Sequence, residues 1–331
     1  MAAIKQVLKF VRRLYATTSA NEFSPKKLKA VREAMIAEPV VYRFKEFDPK
    51  TDALIWRTKI AHQHPARRTV NKQIGRLKRL YAWAVAEELV HVSVHDALLR
   101  VPGLRRDESC AREVARVRPV STASVNCVLP LLPVAIKAMI QVQLASSARP
   151  QDIVNMRVID IDRSSAVWEF RPLRHKTEHH NPDGNQDLDR VVYLGPKAQE
   201  ILQPWVDAQP EGYMFSPIVS EQIRNAERRA LRTSPLTPSQ AARRPRARRQ
   251  AMLRCQYDVS SYRRAVRRAC ITAGIAVWCP NQLRHTRLSE IRKGFGLEAA
   301  RVCGGHREIG VTQIYAEQDC DLARRVMAAT G

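Results

Sequence analysis

Apolar residues in the N-terminal third of the chain recur mainly at helical spacing. TVNKQIGRLKRLYAWAVAEEL, residues 69–89, places one apolar set on a single helical face: Val70, Ile74, Leu77, Tyr81, Ala84 and Val85. Lys72, Arg76 and Arg79 fall outside that face. Ser24 and Pro25 supply an N-cap and a first helical position for KKLKAVREAMIAE. The opening stretch MAAIKQVLKFVRRLY predicts a further helix, basic and amphipathic.

The helical pattern of this first part is interrupted twice. Residues 40–66 contain Pro49 and do not keep the helical period, so we interpret them as an insertion. Residues 101–123 are charged and carry proline and glycine, which is typical of a linker. The pattern therefore predicts a helical N-terminal domain over 1–105 with an unusual insertion at 40–66, a linker over 106–120, and a second domain over 121–331.

The second part mixes helical and strand patterns. Residues 125–157 and 195–206 are predicted to be helical, and so is the chain from 260 onward. Three segments are rich in β-branched and aromatic residues and predict a small antiparallel sheet: 158–165, 166–173 and 189–195. Residues 234–254 form a low-complexity basic segment, predicted to be a loop that contacts phosphates. The predicted fold class is therefore mostly α with a small antiparallel β-sheet (α+β).

The charge balance narrows the choice of partners. The 331 residues carry 56 Lys+Arg against 32 Asp+Glu, a formal net charge of +24. Such an excess is self-repelling unless a polyanion neutralises it, so nucleic acid is the first partner to consider. A ribosome-associated protein and a membrane-surface protein are the alternatives. The aromatic content of 6% argues against RNA binding through stacking platforms, and no apolar run is long enough to span a bilayer.

Cysteine and histidine usage points away from disulfides and metals. The seven cysteines are widely spaced and contain no C-x-x-C pair, which indicates reduced thiols and a cytoplasmic, nucleoid-associated protein. RHKTEHH, residues 174–180, could bind a metal ion, but no cysteine or second histidine cluster accompanies it at suitable spacing. We expect no metal site and no cofactor.

Several polar residues in the second part occur in a suggestive order. Arg149 is followed three residues later by Asp152, Lys176 lies between two predicted strands, and Arg284 begins a predicted helix. His306 precedes Tyr315 by nine residues. Taken singly, each has an ordinary structural explanation, such as a salt bridge for Arg149 or a packing role for Tyr315. Their joint order and spacing have no such explanation.

This series resembles the tyrosine recombinase family of the phage integrase type. The family's pattern is an arginine with an acid three residues on, a β-hairpin lysine, H-x-L-R-H, G-H, and a tyrosine nine residues after that last histidine. The corresponding stretches of this chain are R-P-Q-D (149–152), HKT (175–177), N-Q-L-R-H (281–285), G-G-H (304–306) and T-Q-I-Y (312–315). The resemblance is weaker over residues 24–38 and 69–89, which are similar to part of the family's core-binding domain.

The resemblance implies a function and a role for each residue. It implies a site-specific DNA recombinase that cuts and rejoins DNA through a 3′-phosphotyrosyl intermediate, without metal or ATP. Arg149 and Arg284 would clamp the phosphate, Tyr315 would attack it, and Lys176 would protonate the leaving 5′ oxygen. His306 and Asn281 would hydrogen-bond the phosphate. Asp152 and His285 would lie behind these residues, Asp152 holding Arg149 in place.

Two departures from the family pattern affect these roles. Asn281 stands where the family usually has a histidine, and an amide can donate a hydrogen bond but cannot shuttle a proton near neutral pH. Ser147 and Ala148 replace a glycine-containing corner ahead of Arg149, so a slight shift of Arg149 is expected.

The same resemblance implies the partners and leaves two rival functions open. We expect double-stranded DNA as the ligand, a homotetramer on two duplexes, accessory DNA-bending factors, and no membrane. Candidate DNA-binding residues are Lys72, Arg76, Arg79, Arg244 and Arg248. One rival is a type IB topoisomerase or resolvase-like enzyme with the same chemistry. The other is a degenerate relative that binds DNA without cleaving it.

Overall fold

A computed structural model of the chain describes residues 2–48, 51–173, 190–208, 211–235, 237–242 and 254–305. The predicted site residues Lys176, Arg244, Arg248, His306 and Tyr315 lie outside these ranges. The chain divides into two compact units, Met1–Arg116 and Val117–Gly331.

The first unit is built on helices. These are α1 (Ala2–Tyr15), α2 (Pro25–Ala37), α3 (Arg67–Ala86) and α4 (Val92–Leu99), with a short 3-10 turn at Ala20–Glu22. The predicted cap of α2 is confirmed, since the Ser24 hydroxyl accepts a hydrogen bond from the Lys27 backbone N–H at 3.4 Å. The helices enclose one apolar core, which includes Val7, Leu28, Val31 and Leu98.

Helix α3 carries the predicted division between an apolar and a basic face. Its buried residues are Val70, Gln73, Ile74, Leu77 and Tyr81. Lys72 and Arg79 are exposed, and Arg76 is half-buried. The basic side chains therefore point away from the core of this unit, as the sequence pattern predicts.

The insertion between α2 and α3 is a β-hairpin. Strands β1 (Val40–Asp48) and β2 (Ala53–His62) pair antiparallel, with Val41 opposite Ile60 and Asp48 opposite Ala53. The sequence predicted an insertion here but no strands. Residues that alternate along the strands place five large apolar side chains on one face, all at least half exposed: Val41, Phe47, Leu54, Trp56 and Ile60.

The second unit surrounds a buried helix, α6. In chain order its helices are α5 (Thr122–Val128), α6 (Val134–Ser146), α7 (Pro150–Asn155), α8 (Pro196–Ala208), α9 (Pro217–Ala230), α10 (Pro238–Ala241), α11 (Val259–Thr272) and α12 (Pro280–Gly304). Helix α6 is apolar on nearly every side, which is typical of a helix at the centre of a domain. It packs against α8 and α12. Helix α12 is interrupted at Gly296, where φ is 87°.

A three-stranded antiparallel sheet completes the second unit. Its strands are β3 (Ile161–Asp162), β4 (Trp168–Phe170) and β5 (Val192–Leu194), in the order β3-β4-β5. Phe170 pairs with both Ile161 and Val192, and all three are buried. The predicted fold class, mostly α with a small antiparallel sheet, is confirmed. Within the described residues, no helix combines the length and apolarity needed to cross a membrane.

Candidate active site

The corner between α6 and α7 sets the position of Arg149. Ser147 ends α6 in the left-handed conformation, with φ 57° and ψ 15°, and its backbone N–H donates to the Gln143 carbonyl at 3.0 Å. Arg149 is the N-cap residue of α7, and Pro150 occupies the first helical position. Ser147 itself therefore takes the conformation that glycine adopts at low cost, and the corner forms without glycine.

A buried hydrogen-bond chain supports this corner from below. The Gln143 side chain donates from Nε2 to the Ala148 carbonyl at 3.1 Å. Its Oε1 accepts from the Tyr262 hydroxyl at 3.0 Å. Gln143, Ala148 and Tyr262 are fully buried, and burial raises the pKa of Tyr262, which keeps the phenol protonated as a donor. The backbone just ahead of Arg149 is thus fixed by α6 and α11.

Arg284 joins the corner to the end of the last described helix. It lies in the second turn of α12 with 2% of its surface exposed. Its Nη1 donates to the Ser147 carbonyl at 2.7 Å, and its Nη2 donates to the Gly304 carbonyl. The Ser147 hydroxyl donates to the Cys303 carbonyl at 3.1 Å. These bonds connect Ser147, two residues before Arg149, to Gly304, two residues before His306.

Asp152 pairs with an arginine that the sequence pattern did not single out. Its Oδ2 accepts from the Arg149 backbone N–H at 2.9 Å, so Asp152 contacts Arg149 through the backbone. The same carboxylate accepts from Arg190 Nη2 at 2.7 Å and from Arg190 Nε at 3.0 Å. The ion pair of Asp152 is therefore with Arg190, 38 residues away in the chain. Arg190 Nη1 in turn donates to the Gly304 carbonyl at 3.0 Å.

Asn281 and His285 contact each other at the start of α12. The Asn281 Nδ2 atom lies 3.2 Å from His285 Nε2. An amide nitrogen can only donate, so Nε2 accepts and the imidazole is the neutral tautomer with its proton on Nδ1. Burial and the neighbouring Arg284 charge both lower the pKa of His285 below its usual 6.5. Asn281 is exposed and His285 is half-buried.

The cluster as a whole is electropositive. Among the described residues, Arg149, Arg190 and Arg284 are joined to these two backbone segments together with one carboxylate. That carboxylate, of Asp152, binds the Arg190 guanidinium and the Arg149 backbone N–H. A neutral His285 adds no charge. Such an excess of guanidinium over carboxylate in a partly water-excluded site favours an anion with several oxygens, such as a phosphodiester.

The remaining predicted residues are distributed as follows. Lys72, Arg76 and Arg79 belong to the first unit. Lys176, His306, Tyr315, Arg244 and Arg248 are outside the described residues, although His306 follows directly on Gly305, the C-cap of α12. The structure thus brings Arg149, Asp152, Arg284, Asn281 and His285 into one region of the second unit.

Helix α11 carries a second basic feature that the sequence analysis passed over. Arg263, Arg264, Arg267 and Arg268 are all exposed, whereas Tyr262, Val266, Ala269 and Cys270 are buried. The helix contains no acidic residue, and like charges four residues apart repel each other. The repeated R-R at a spacing of four was the available signal. An exposed ladder of this kind is stabilised by a polyanion.

The left-handed Ser147 gives a prediction about stability. Alanine at position 147 would lose the hydrogen bond to Cys303, at about 0.5–1.5 kcal/mol, and would keep the left-handed strain. Glycine would lose the same bond but relieve strain of about 1–2 kcal/mol. We therefore expect Ser147→Gly to unfold at higher urea concentration than Ser147→Ala.

Ser146 offers the matched control for this comparison. It is also buried and its hydroxyl also donates to a backbone carbonyl, that of Val142 at 2.7 Å, but it is the last residue of α6 and has no positive φ. With a right-handed backbone there is no strain for glycine to relieve, and glycine is the poorer helix former, by at most about 1 kcal/mol, so Ser146→Gly should be less stable than Ser146→Ala. If positions 146 and 147 gave the same order, the assignment of strain to Ser147 would be wrong.

The environment of His285 gives a prediction about pH. Because the folded-state pKa is lowered, the unfolded chain binds the proton more readily, and stability from this group falls as the pH drops through about 6.5. Above that pH the contribution is fully present. Histidine ¹³C NMR, assigned with His285→Gln, should give a midpoint below 6.5. A midpoint at or above 6.5 would contradict the burial and the neutral tautomer described here.

Comparison with protein families identifies the class of the chain. The model of the phage integrase family matches residues 126–321. The matched segment exceeds half of the chain and contains Arg149, Lys176, Arg284, His306 and Tyr315. The chain belongs to the phage integrase family, the family of tyrosine recombinases that its motifs resemble. A comparison with curated protein sequences gives no match.

Solved structures share the fold at low sequence identity. A structure of the Tn1549 transposon integrase in complex with transposon right end DNA superposes with a TM-score of 0.60 and 13% identity, covering 99% of this chain and 92% of that one. A lambda integrase dimer bound to a COC′ core site gives a TM-score of 0.57 and 11% identity, covering 96% and 88%. These likenesses establish the fold of the chain.

Proposed function

We propose that the chain is a site-specific DNA recombinase that cleaves and rejoins duplex DNA through a 3′-phosphotyrosyl intermediate. The observation that carries the proposal is the cluster in which Arg284 bonds both to the corner before Arg149 and to the carbonyl of Gly304, which precedes His306 by two residues. Residues far apart in sequence, at the family's motif positions, are thereby held by shared hydrogen bonds.

The proposed chemistry follows from the charge that a phosphodiester develops. As the phosphorus becomes pentacoordinate, its non-bridging oxygens gain negative charge, and the guanidiniums of Arg149 and Arg284 stabilise it. The Tyr315 hydroxyl loses its proton to water as its oxygen attacks, a bond between this oxygen and phosphorus forms, and the bond from phosphorus to the 5′ oxygen breaks. Lys176 supplies the proton to that oxygen, a contribution of about 10²–10⁴ in rate. The covalent intermediate keeps the bond energy for rejoining, so the reaction needs neither ATP nor a metal ion.

The remaining site residues have supporting roles in this proposal. His306 hydrogen-bonds the phosphate, and Asp152 fixes the Arg149 backbone. Asn281 donates from its amide nitrogen to His285, and an amide carries two such protons, so one remains for a phosphate oxygen. Asn281 would then replace the family's histidine as a positioning group and not as a proton carrier.

DNA is the proposed partner of both units. The solved relatives named above are complexes with DNA, and the exposed arginines of α11 and the basic face of α3 supply charge to contact phosphates. We propose that the first unit corresponds to the predicted core-binding domain and the second to the catalytic domain. We further propose that a homotetramer recombines two duplexes at the nucleoid, with the help of accessory DNA-bending factors.

The experiment that tests the function is covalent trapping. The full chain is incubated in EDTA with nicked and supercoiled DNA from its own genomic neighbourhood, and the products are separated on a denaturing gel. An adduct that survives denaturation, and whose DNA-linked peptide maps to Tyr315, is the expected result. Tight, salt-sensitive binding to the same DNA without any adduct would favour a DNA-binding relative that does not cleave, the function that Asn281 in place of histidine would otherwise suit.

A further inference from the structure

Arg190 is a buried arginine that no motif of the family pattern in this chain includes. Only 7% of its surface is exposed. Nε and Nη2 bind the Asp152 carboxylate at 3.0 and 2.7 Å, and Nη1 binds the Gly304 carbonyl at 3.0 Å. The planar guanidinium therefore binds two partners at once: a carboxylate along one edge and a backbone carbonyl at the other. A lysine ammonium, which is a point charge on a flexible stem, does not reproduce this geometry.

The burial of this pair calls for a role other than stability. The charged side chains of Arg190 and Asp152 are 4% and 3% exposed. Removing two charges from water offsets most of the attraction between them, and apolar residues of similar volume often stabilise a fold as well or better. What such a pair does supply is a single defined geometry, because its hydrogen bonds are directional.

The two ends of the Arg190 fork lead to two different parts of the candidate site. On one side, Asp152 Oδ2 also accepts the backbone N–H of Arg149 at 2.9 Å. On the other, the Gly304 carbonyl is shared with Arg284 Nη2. One side chain thus connects the backbone of the first site arginine with the point at which the chain leaves α12 towards His306.

The glycine after Gly304 fits closely against the same guanidinium. Gly305 adopts the left-handed conformation, with φ 59° and ψ 47°. A Cβ atom at this position would lie 2.7 Å from Arg190 Nη1, inside contact distance. Glycine at position 305 therefore suits both the packing against Arg190 and the left-handed backbone, and His306 is the next residue.

We propose that Arg190 is a positioning residue that sets the distance between the Arg149 backbone and Gly304, the end of the helix that leads to His306. It does not contact the phosphate; it acts through Asp152 on one side and through Gly304 on the other. Its effect on catalysis rests on the function proposed above. Displacement of a catalytic group by about 1 Å can cost roughly 10²-fold in rate, so loss of this connection should appear in the chemical step.

The decisive variant is Arg190→Lys, which keeps the charge and removes the fork. Single-turnover cleavage of nicked DNA by excess protein should slow by about 10- to 100-fold, while the DNA dissociation constant stays within about 3-fold. Arg157→Lys is the matched control, because Arg157 makes an equivalent fork to Asp160 at 2.8 and 2.7 Å in the same unit. A purely stabilising role would lower the melting temperature or the active fraction of both variants and leave their rate constants unchanged, which would overturn the proposal.

A second variant guards against misfolding of the first. Gly305→Ala places a methyl group against Arg190 Nη1 and leaves the side chains of Arg190 and Asp152 themselves unchanged. It should slow cleavage in the same way, and the double variant should be slower than either single variant by much less than the product of their effects, since both act on one connection. If the rate loss of the double variant equalled the product of the two single losses, Arg190 and Gly305 would act independently, which would contradict the proposal.

Hydrogen exchange separates this inference from the proposed function. In the free protein, amides of the peptide that ends at Gly305 should exchange faster in Arg190→Lys than in the wild type, and Arg157→Lys should leave them unchanged. Unchanged exchange in Arg190→Lys overturns the inference whatever the activity. Absence of any covalent adduct in the wild type would instead refute the proposed function, while the exchange result still decides whether Arg190 holds this segment.

Discussion

Replacement of Tyr315 by phenylalanine is expected to abolish the covalent protein–DNA adduct and all recombination. In the proposed reaction the Tyr315 hydroxyl oxygen forms the bond to phosphorus, and phenylalanine lacks this oxygen. DNA affinity should stay within about 3-fold of the wild type, because one hydroxyl contributes little beside many phosphate contacts. Denaturing gels for the adduct and fluorescence anisotropy for binding measure the two quantities separately.

The control for this prediction is Tyr193→Phe. Tyr193 lies on β5 with 44% of its surface exposed and has no role in the proposed chemistry. It should leave both adduct and affinity unchanged. If Tyr315→Phe still formed the adduct, another residue would be the nucleophile. If the wild type and Tyr193→Phe also formed no adduct despite tight DNA binding, the chain would be a DNA-binding relative without cleavage activity.

The second large effect is expected for Arg284→Lys. Lysine keeps the positive charge but does not bond simultaneously to the Ser147 and Gly304 carbonyls while facing the phosphate. Loss of one preorganised donor to a developing oxyanion typically costs about 10²–10³ in rate. We therefore expect the cleavage rate to fall by about that factor, with nearly unchanged DNA affinity. Single-turnover cleavage and anisotropy give the two values.

Arg287→Lys provides the comparison on the same helix. Arg287 pairs with Glu290 at 3.1 Å and does not contact either site segment. Its substitution should change cleavage by less than about 2-fold, as is usual for a surface ion pair. Alanine is less informative at position 284, because it would remove the Arg284 donor of the buried Ser147 carbonyl and one of the two donors to the Gly304 carbonyl, lowering stability as well as activity. A cleavage rate in Arg284→Lys equal to that of the wild type would remove Arg284 from the catalytic step.

The sequence predicted the helices and the motif residues because their signals are local. The cap at Ser24 and the apolar face of α3 depend on neighbours within four residues, and both are found as predicted. The β-hairpin was missed because Pro49 was interpreted only as a helix breaker. The alternating β-branched and aromatic residues on either side of it were the better signal.

The partners of the site residues could not be predicted, because they are distant in the chain. The sequence pattern pairs Asp152 with Arg149 three residues earlier, whereas its ion pair in the structure is with Arg190, 38 residues later. A carboxylate in a largely apolar helical stretch is itself a sign that a buried cation lies elsewhere. Ser147 adopts the left-handed conformation at this corner, and its hydrogen bonds to the Gln143 and Cys303 carbonyls hold it there. Those two carbonyls belong to α6 and to the distant end of α12, so the second bond has no local signal in the sequence. The slight shift of Arg149 stays a prediction.

The hairpin between α2 and α3 also offers a place at which the protein can be modified. Val40 and His62 are paired, so the chain leaves the helices of the first unit and returns to them at neighbouring points. Residues beyond that pair can be shortened, exchanged or extended without changing the path of either helix. A fluorophore or a fused domain could therefore be attached between Asp48 and Ala53 while the paths of α2 and α3 stay as they are.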